Sequence, residues 1–267
     1  MKFVRVGKSV RGGVISERHV HPCGVRPRPT GRDMDLRIAD LDPLGNRLLA
    51  GLPRDDFELL RAHLVMGPLA QGTVLAEAGD EVDRVAFPLS GMISLVVVMK
   101  DGRAIETATV GRDGFFGAAS AFGLHRSTVR AIVQVPMTGG FITSSQFRKA
   151  ANASRAIQLM CIKYNEALLT QARVTAACNA LHTVEARFCR WLLQTSQVTE
   201  SDTITLTQEF LSEMLGVRRT SVTEVAGKLQ GAGIISYARG VIKILDRSGL
   251  DARCCECLHI LREQMAL

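Results

Sequence analysis

No run in the 267-residue sequence approaches the ~18 consecutive apolar residues of a membrane-spanning helix. The first 33 residues are basic but carry no apolar stretch of the kind a secretory leader requires. Neither span nor leader is expected, and a cytoplasmic protein without membrane contact is. The seven cysteines, Cys23, Cys161, Cys178, Cys189, Cys254, Cys255 and Cys257, are an odd set with no regular spacing. That argues against a disulfide framework and fits a reducing compartment. Serine, histidine and acidic residues never gather into a nucleophile–base pattern, so no catalytic residue is assigned and an enzyme is not expected. Cationic charge is also short. The formal net charge is +7, but residues 1–33 contribute +6 of it: Lys2, Lys8, Arg5, Arg11, Arg18, Arg26, Arg28 and Arg32 against Glu17 and Asp33. Any affinity for a polyanion must therefore come from where charge is placed.

What the sequence does contain is a patterned stretch from Leu206 to Ile244. Thr207 is a good N-cap, since its hydroxyl can accept from free N–H groups at a helix start. Phe210, Leu211, Met214 and Leu215 then share one face at helical spacing. Gly216 ends that helix where a left-handed backbone is cheap only for glycine. A second helix follows with Val222, Val225 and Leu229 inward and Arg218, Arg219, Thr220, Thr223 and Glu224 outward. Ile234 to Tyr237, Ala238-Arg239-Gly240, and Val241 to Ile244 read as strand, tight turn and strand. Two short helices, a glycine turn and a hairpin make a winged helix-turn-helix, a DNA-binding unit. Arg218 and Arg219 are expected to reach guanine edges or phosphates, with Thr220, Ser221 and Thr223 along the groove. Glu224 is placed to accept from cytosine N4, Lys228 to meet phosphate, and Thr207 and Arg239 to complete the contact set.

In chain order, residues 1–35 are Gly-, Pro- and Arg-rich with no sustained period and read as a basic extension without regular structure. Leu44 to Leu64 has helical character, with Asp55 or Asp56 expected as a cap. Residues 65–142 alternate short β-rich runs with Gly, Asp and Pro, and Asp101-Gly102 between apolar runs signals a hairpin. A small antiparallel roll follows, spanning 44–150 with its flanks. Between 153 and 181, Met160, Tyr164, Ala167, Gln171, Val174, Cys178 and Leu181 step by 4 and 3 alternately. That is a coiled-coil seam, and a dimer is expected along it, while Leu159, Ile162 and Leu169 form a second apolar side expected to lie on the roll. A further helix from Thr183 leads into the DNA-binding unit (183–250), and residues 251–267 read as a C-terminal helix. Its Cys254-Cys255-Glu256-Cys257 run, with His259 nearby, is thiol-rich. Consecutive cysteines do not easily all meet one tetrahedral ion and no second knuckle follows, so no metal ligand and no cofactor is assigned.

The fold class is thus α+β: an antiparallel β-roll of double-stranded, jelly-roll-like form, a long dimerisation helix and a winged helix-turn-helix. In that order the parts resemble the Crp/Fnr family of bacterial transcription regulators. The resemblance covers residues 44–245 and is densest at Leu206–Ile244 and at Gly72–Gly117, where Gly79-Asp80, Gly91 and Gly114-Phe115-Phe116-Gly117 match the family's roll turns. It implies homodimers on inverted-repeat DNA that act on RNA polymerase. It also implies an effector pocket near Gly114, Phe116, Gly117, Ala118, Arg126, Ser127, Thr128 and Arg130. Family members that bind cyclic AMP carry a Gly-Glu pair for the ribose hydroxyl and an Arg-Ser pair for the cyclic phosphate. Here Ala118 follows Gly117, and a gapless match puts His125-Arg126 at the Arg-Ser position. The hydroxyl pair that meets the base becomes Ala172-Arg173. Cyclic AMP is not expected as effector, and the effector stays unassigned. An iron–sulfur sensor of this family needs several cysteines before the roll, where only Cys23 stands. Two other readings stay open: a sensor acting through protein–protein contact, and an enzyme's regulatory subunit.

Overall fold

The computed structural model describes residues 41–264, so the basic extension and Cys23 lie outside the described residues. A 3₁₀ turn at Pro43–Gly45 leads into helices α1 (Arg47–Ala50) and α2 (Arg54–Arg61). Asp55 and Asp56 fall inside the first turn of α2, whose N-cap is Pro53. They complement the helix dipole there instead of capping it. The first cap that carries structure is Asn46, whose carboxamide accepts from Leu48 and Leu49 N–H and donates to Pro88 and Gly114 carbonyls.

Seven strands then build the roll: β1 (Val65–Leu69), β2 (Val74–Ala76), β3 (Arg84–Pro88), β4 (Met92–Val98), β5 (Ala104–Val110), β6 (Arg130–Val135) and β7 (Met137–Thr143). They form two antiparallel sheets, β1-β7-β3 and β2-β6-β4-β5. Asp101-Gly102 turns β4 into β5, and Asp101 accepts from both the backbone N–H and the side chain of Arg103. Phe87, Phe115 and Phe147 fill the interior, with Phe87 stacked on Phe115 at 4.9 Å.

Helix α3 (Ser144–Ala153) joins the roll to α4 (Arg155–Leu181), and α5 (Val184–Thr199) follows after a break at His182-Thr183. Helix α4 corrects one expectation. Met160, Tyr164, Ala167, Gln171 and Cys178 are buried within the chain, not presented to a partner, Val174 is half-buried, and Leu181 is 78% exposed. The polar member of the pattern gives the reason. Gln171 accepts from the backbone N–H of Thr109 at 2.9 Å and donates to its hydroxyl at 3.1 Å. Thr109 lies on β5, the edge of its sheet, so α4 covers an edge whose free N–H would otherwise need water. Tyr164 stacks on Phe115 at 5.0 Å, and a methyl at Gly114 would collide with its hydroxyl. A 4–3 repeat marks a face, and a sheet serves that face as well as a second helix does. Leu159, Ile162 and Leu169, assigned to the roll by sequence, are the exposed side, at 40, 49 and 44%.

The C-terminal part contains β8 (Thr203–Thr205), α6 (Gln208–Leu215), α7 (Arg219–Gly231), β9 (Ile235–Ala238), β10 (Val241–Ile244), α8 (Arg247–Asp251) and α9 (Cys257–Gln264). Its sheet has the order β8-β10-β9, so Thr203–Thr205, just before the Thr207 cap, supplies a third wing strand that the sequence pattern did not mark. The C-terminal helix expected from residue 251 begins only at Cys257, with Cys254 to Glu256 in the turn between it and α8. The two halves share a core. Met92 and Val96 of β4 join the cluster of Phe188, Trp191, Leu192 and the winged-helix residues.

Candidate nucleic-acid interface and effector cavity

Thr207 caps α6, its hydroxyl accepting from Phe210 N–H at 3.3 Å. Gly216 ends the helix at φ +61°. Glu213 and Ser212 carbonyls accept from the N–H groups of Gly216 and Val217, which turns the chain sharply into α7. Val222, Val225, Ala226 and Leu229 bury one side of α7. Arg219, Thr220, Thr223, Glu224 and Lys228 stand in solvent on the opposite side, as expected of a reading helix. Within that face, Lys228 pairs with Glu224 at 3.0 Å, which raises the lysine pKa. Thr223 donates to Gln208 of α6 at 2.9 Å and to its own helix at the Arg219 carbonyl.

The wing turn is tight because Arg239 and Gly240 both take positive φ, +51° and +76°, the signature of a two-residue hairpin twisted with its strands. An arginine in that region costs backbone energy of order 1 kcal/mol, and its guanidinium is left exposed at the tip. Tyr237 fixes the wing: its N–H donates to Gln230 Oε1 at 2.8 Å and its hydroxyl donates to the Leu206 carbonyl at 3.0 Å. Burial pushes the Tyr237 phenol up, with Arg219 acting against it. Between wing and helices lies a notch of about 340 Å³ lined by Thr207, Gln208, Arg219, Tyr237, Arg239 and Gly240. Two arginines and a helix start on one concave surface suit a phosphate oxygen. Gln208 and Tyr237 are members that pattern reading missed, one hidden behind the cap and one within the strand.

Arg218 and Ser221 stand elsewhere. They border a cleft of about 1010 Å³ between the helix turn and the β4–β5 hairpin, facing Met99, Arg103, Ala104 and Ile105. Gly216 approaches Ile105 so closely that an added Cβ would lie 2.7 Å from its Cδ1. Behind this contact, Glu106 of β5 is buried and accepts from the Trp191 indole N–H at 2.9 Å, with the Ser94 hydroxyl on its other oxygen. Burial raises its pKa to about 7, against these two hydrogen bonds. A roll carboxyl and a winged-helix tryptophan are thereby tied together.

The expected effector residues are only partly brought together. Phe116, Gly117, Ala118, Arg126, Ser127 and Thr128 line a cavity of about 550 Å³. Gly114 does not; it sits under Tyr164, and its carbonyl accepts from Asn46. Arg130 points away to Glu77, at 2.8 Å, and that hydrogen bond raises its pKa further. Arg126 donates to the Gly79 carbonyl at 2.8 Å, and buried Ser127 donates to the Val129 carbonyl. The cavity is completed by residues far apart in sequence, among them Glu81, Leu95, Asn165 and Leu168. On α4 the lining residues are thus Asn165 and Leu168. Arg173 instead pairs with Glu166 at 3.2 Å on the exposed side. No local signal connects positions so widely separated.

Residues 68–154 match the family model of the cyclic nucleotide-binding domain, and residues 186–253 match that of the Crp-like helix-turn-helix domain. Together the two span more than half of the sequence. The chain belongs to the Crp/Fnr family. Members of this family are DNA-binding transcription regulators, not enzymes. No curated protein matches in sequence. Among solved structures, a Crp/Fnr-family transcriptional regulator from Eubacterium rectale superposes with a TM-score of 0.62 at 16% identity, over 79% of this chain and 97% of that one. A Crp/Fnr-family transcriptional regulator from Thermus thermophilus gives 0.59 at 23%, over 70% and 97%. The c-di-GMP responsive global regulator CLP of Xanthomonas campestris gives 0.58 at 18%, over 72% and 99%. At such identities these likenesses speak for the fold alone. Among the described residues no helix is long and apolar enough to cross a membrane.

Proposed function

We propose that this Crp/Fnr-family regulator acts in the cytoplasm as a homodimer, reads inverted-repeat promoter sites in double-stranded DNA, and controls RNA polymerase there. The observation that carries this is the solvent-facing side of α7 beside the arginine-tipped wing and its notch. A helix that reads the major groove needs an outer face free of intrachain packing, and Arg219, Thr220 and Glu224 have one. Dimerisation is assigned to Leu159, Ile162 and Leu169 on the exposed side of α4, in place of the buried 4–3 row. Two-fold symmetry then sets half-sites about 34–36 Å apart.

The effector is other than cyclic AMP. Ala118 offers no acceptor to a ribose hydroxyl, and Arg126 and Arg130 already serve Gly79 and Glu77. A ligand shifts the DNA-competent population only through differential affinity for two states. The cleft between the helix turn and the β4–β5 hairpin is where such states would differ, because Arg218 and Ser221 face the roll there. Selection of bound fragments from random DNA tests the reading. Enriched sites with dyad symmetry support it. Failure to enrich any sequence would favour the alternative, a sensor acting through protein–protein contact.

A further inference from the structure

The cysteine-rich turn acquires a meaning in three dimensions that it lacks in sequence. Cys254 and His259 take no part: the Cys254 thiol lies on the Cys255 carbonyl, and His259 is exposed on α9. Cys255 and Cys257 instead meet two residues from the end of α4, Cys178 and His182. Those two are four positions apart, so one helical turn places them on the same side. Helix α4 ends at Leu181, and His182 is its C-cap: its N–H still donates to the Cys178 carbonyl at 3.1 Å, and its ψ of 150° turns only the following chain away.

All four ligand atoms lie within 4.8 Å of one another. Cys178 Sγ is 3.5 Å from Cys255 Sγ, and Cys257 Sγ is 3.6 Å from His182 Nδ1. A tetrahedral zinc ion, with Zn–S of about 2.3 Å and Zn–N of about 2.0 Å, needs edges of roughly 3.8 Å between thiolates and 3.5 Å from thiolate to imidazole. The cluster has that size. We propose that Cys178, His182, Cys255 and Cys257 bind one structural zinc ion.

Two further features fit an ion and not a thiol cluster alone. His182 Nε2 is 3.2 Å from the Glu256 carboxylate, so the carboxylate holds the far ring nitrogen and leaves Nδ1 directed at the thiols. Orientation of a metal-bound imidazole by a carboxylate is the usual arrangement around such sites. Arg187 and Arg190 are buried at 6% exposure each, and the Nε of each has no acceptor. The Leu215 carbonyl accepts from Arg187 and the Gln194 side chain accepts from Arg190, and the charge of both guanidiniums still reaches the cluster. Three thiolates and a neutral imidazole around a divalent ion carry one net negative charge, which these cations complement. The soft ligand set and the closed, four-fold protein coordination select zinc and a structural role. The three cysteines are 0, 5 and 3% exposed, so bulk water is kept away. Bound there, the ion pins the turn after the wing to the α4–α5 junction, where Cys255 also reaches the Ala186 carbonyl. It would set the angle at which the winged helix leaves the roll.

Elemental analysis of the full chain, purified without chelators and under reducing conditions, should find one zinc ion per chain. The Cys255→Ser/Cys257→Ser variant should lose at least tenfold of it, while Cys254→Ser keeps all of it. Cobalt added to the metal-stripped wild-type chain should give thiolate charge-transfer and tetrahedral d–d bands, a readout that does not depend on the variant folding. Zinc retained by the double variant, or a wild-type chain that takes up neither metal, would overturn the proposal. So would a Cys178–Cys255 disulfide in anaerobically purified protein, found by mass spectrometry.

Discussion

The winged helix and the roll were each expected to display a set of functional side chains, and the two sets fared differently. Seven of the nine residues expected at DNA stand on the outer side of α7 or beside the wing, while Arg218 and Ser221 face the roll hairpin. Of the eight expected around an effector, Arg126, Ser127 and Arg130 are engaged by the roll's own hydrogen bonds and Gly114 is covered by Tyr164. The difference is geometric. A reading face is convex and made by one helix, so local periodicity finds it. A cavity is concave and assembled from distant segments, and its lining depends on which backbone groups each side chain must satisfy first. Helix α4 repeats the lesson, since its strongest pattern serves the roll and its weaker one faces outward.

The sharpest way to break this comparison is to cut each face of α4. Tyr164→Ala removes a fully buried ring stacked on Phe115 and should cost about 3–5 kcal/mol in chemical denaturation. Ile162→Glu with Leu169→Glu should leave the unfolding free energy of the monomer nearly unchanged and shift the chain to monomer in sedimentation. If the first change mainly dissociates dimers and the second mainly unfolds the chain, the two faces have been assigned the wrong way round.

On the DNA side, Arg219→Ala should cost about 1–3 kcal/mol and relax preference at one base position of the half-site. Lys228→Ala should weaken all operator variants alike and by less, because its charge is shared with Glu224. Equal, uniform losses on a panel of operator variants would show that Arg219 contacts only phosphate.

The tie between the halves should be sensitive to pH. Glu106 titrates near 7 in the folded chain, where burial favours its protonated form, against an ordinary carboxylate value of 4.5. Between those values the folded state holds more protons than the unfolded one, so stability should fall as pH rises from about 4.5 to 7. The loss, of order 1–3 kcal/mol, should disappear in Glu106→Gln when melting is followed across that range. A wild-type profile that rises through the same window would mean that Glu106 is ionised and held by Arg190.

The smallest expected effect is none. Millimolar cyclic AMP should leave operator affinity unchanged and give no saturable heat in calorimetry. A tenfold gain, about 1.4 kcal/mol of coupling, would mean that Arg126 leaves Gly79 for the phosphate.

By itself the sequence determined whatever depends on neighbours a few residues apart. The Thr207 cap, the Gly216 turn, the inward row of Val222, Val225 and Leu229, the wing hairpin and the Asp101-Gly102 turn all obey local dihedral and periodicity rules. Family membership was legible for the same reason, as an ordered series of such local signals. The tertiary structure alone decided which side of α4 is buried, because Gln171 finds its partner on Thr109 and not within its own helix. It alone placed Arg218 against the roll hairpin and Arg130 on Glu77. And it alone brought Cys178 and His182 to Cys255 and Cys257, across more than seventy residues of chain. Contacts of that span carry no sequence period, since a side chain's partner there is set by where the backbone returns.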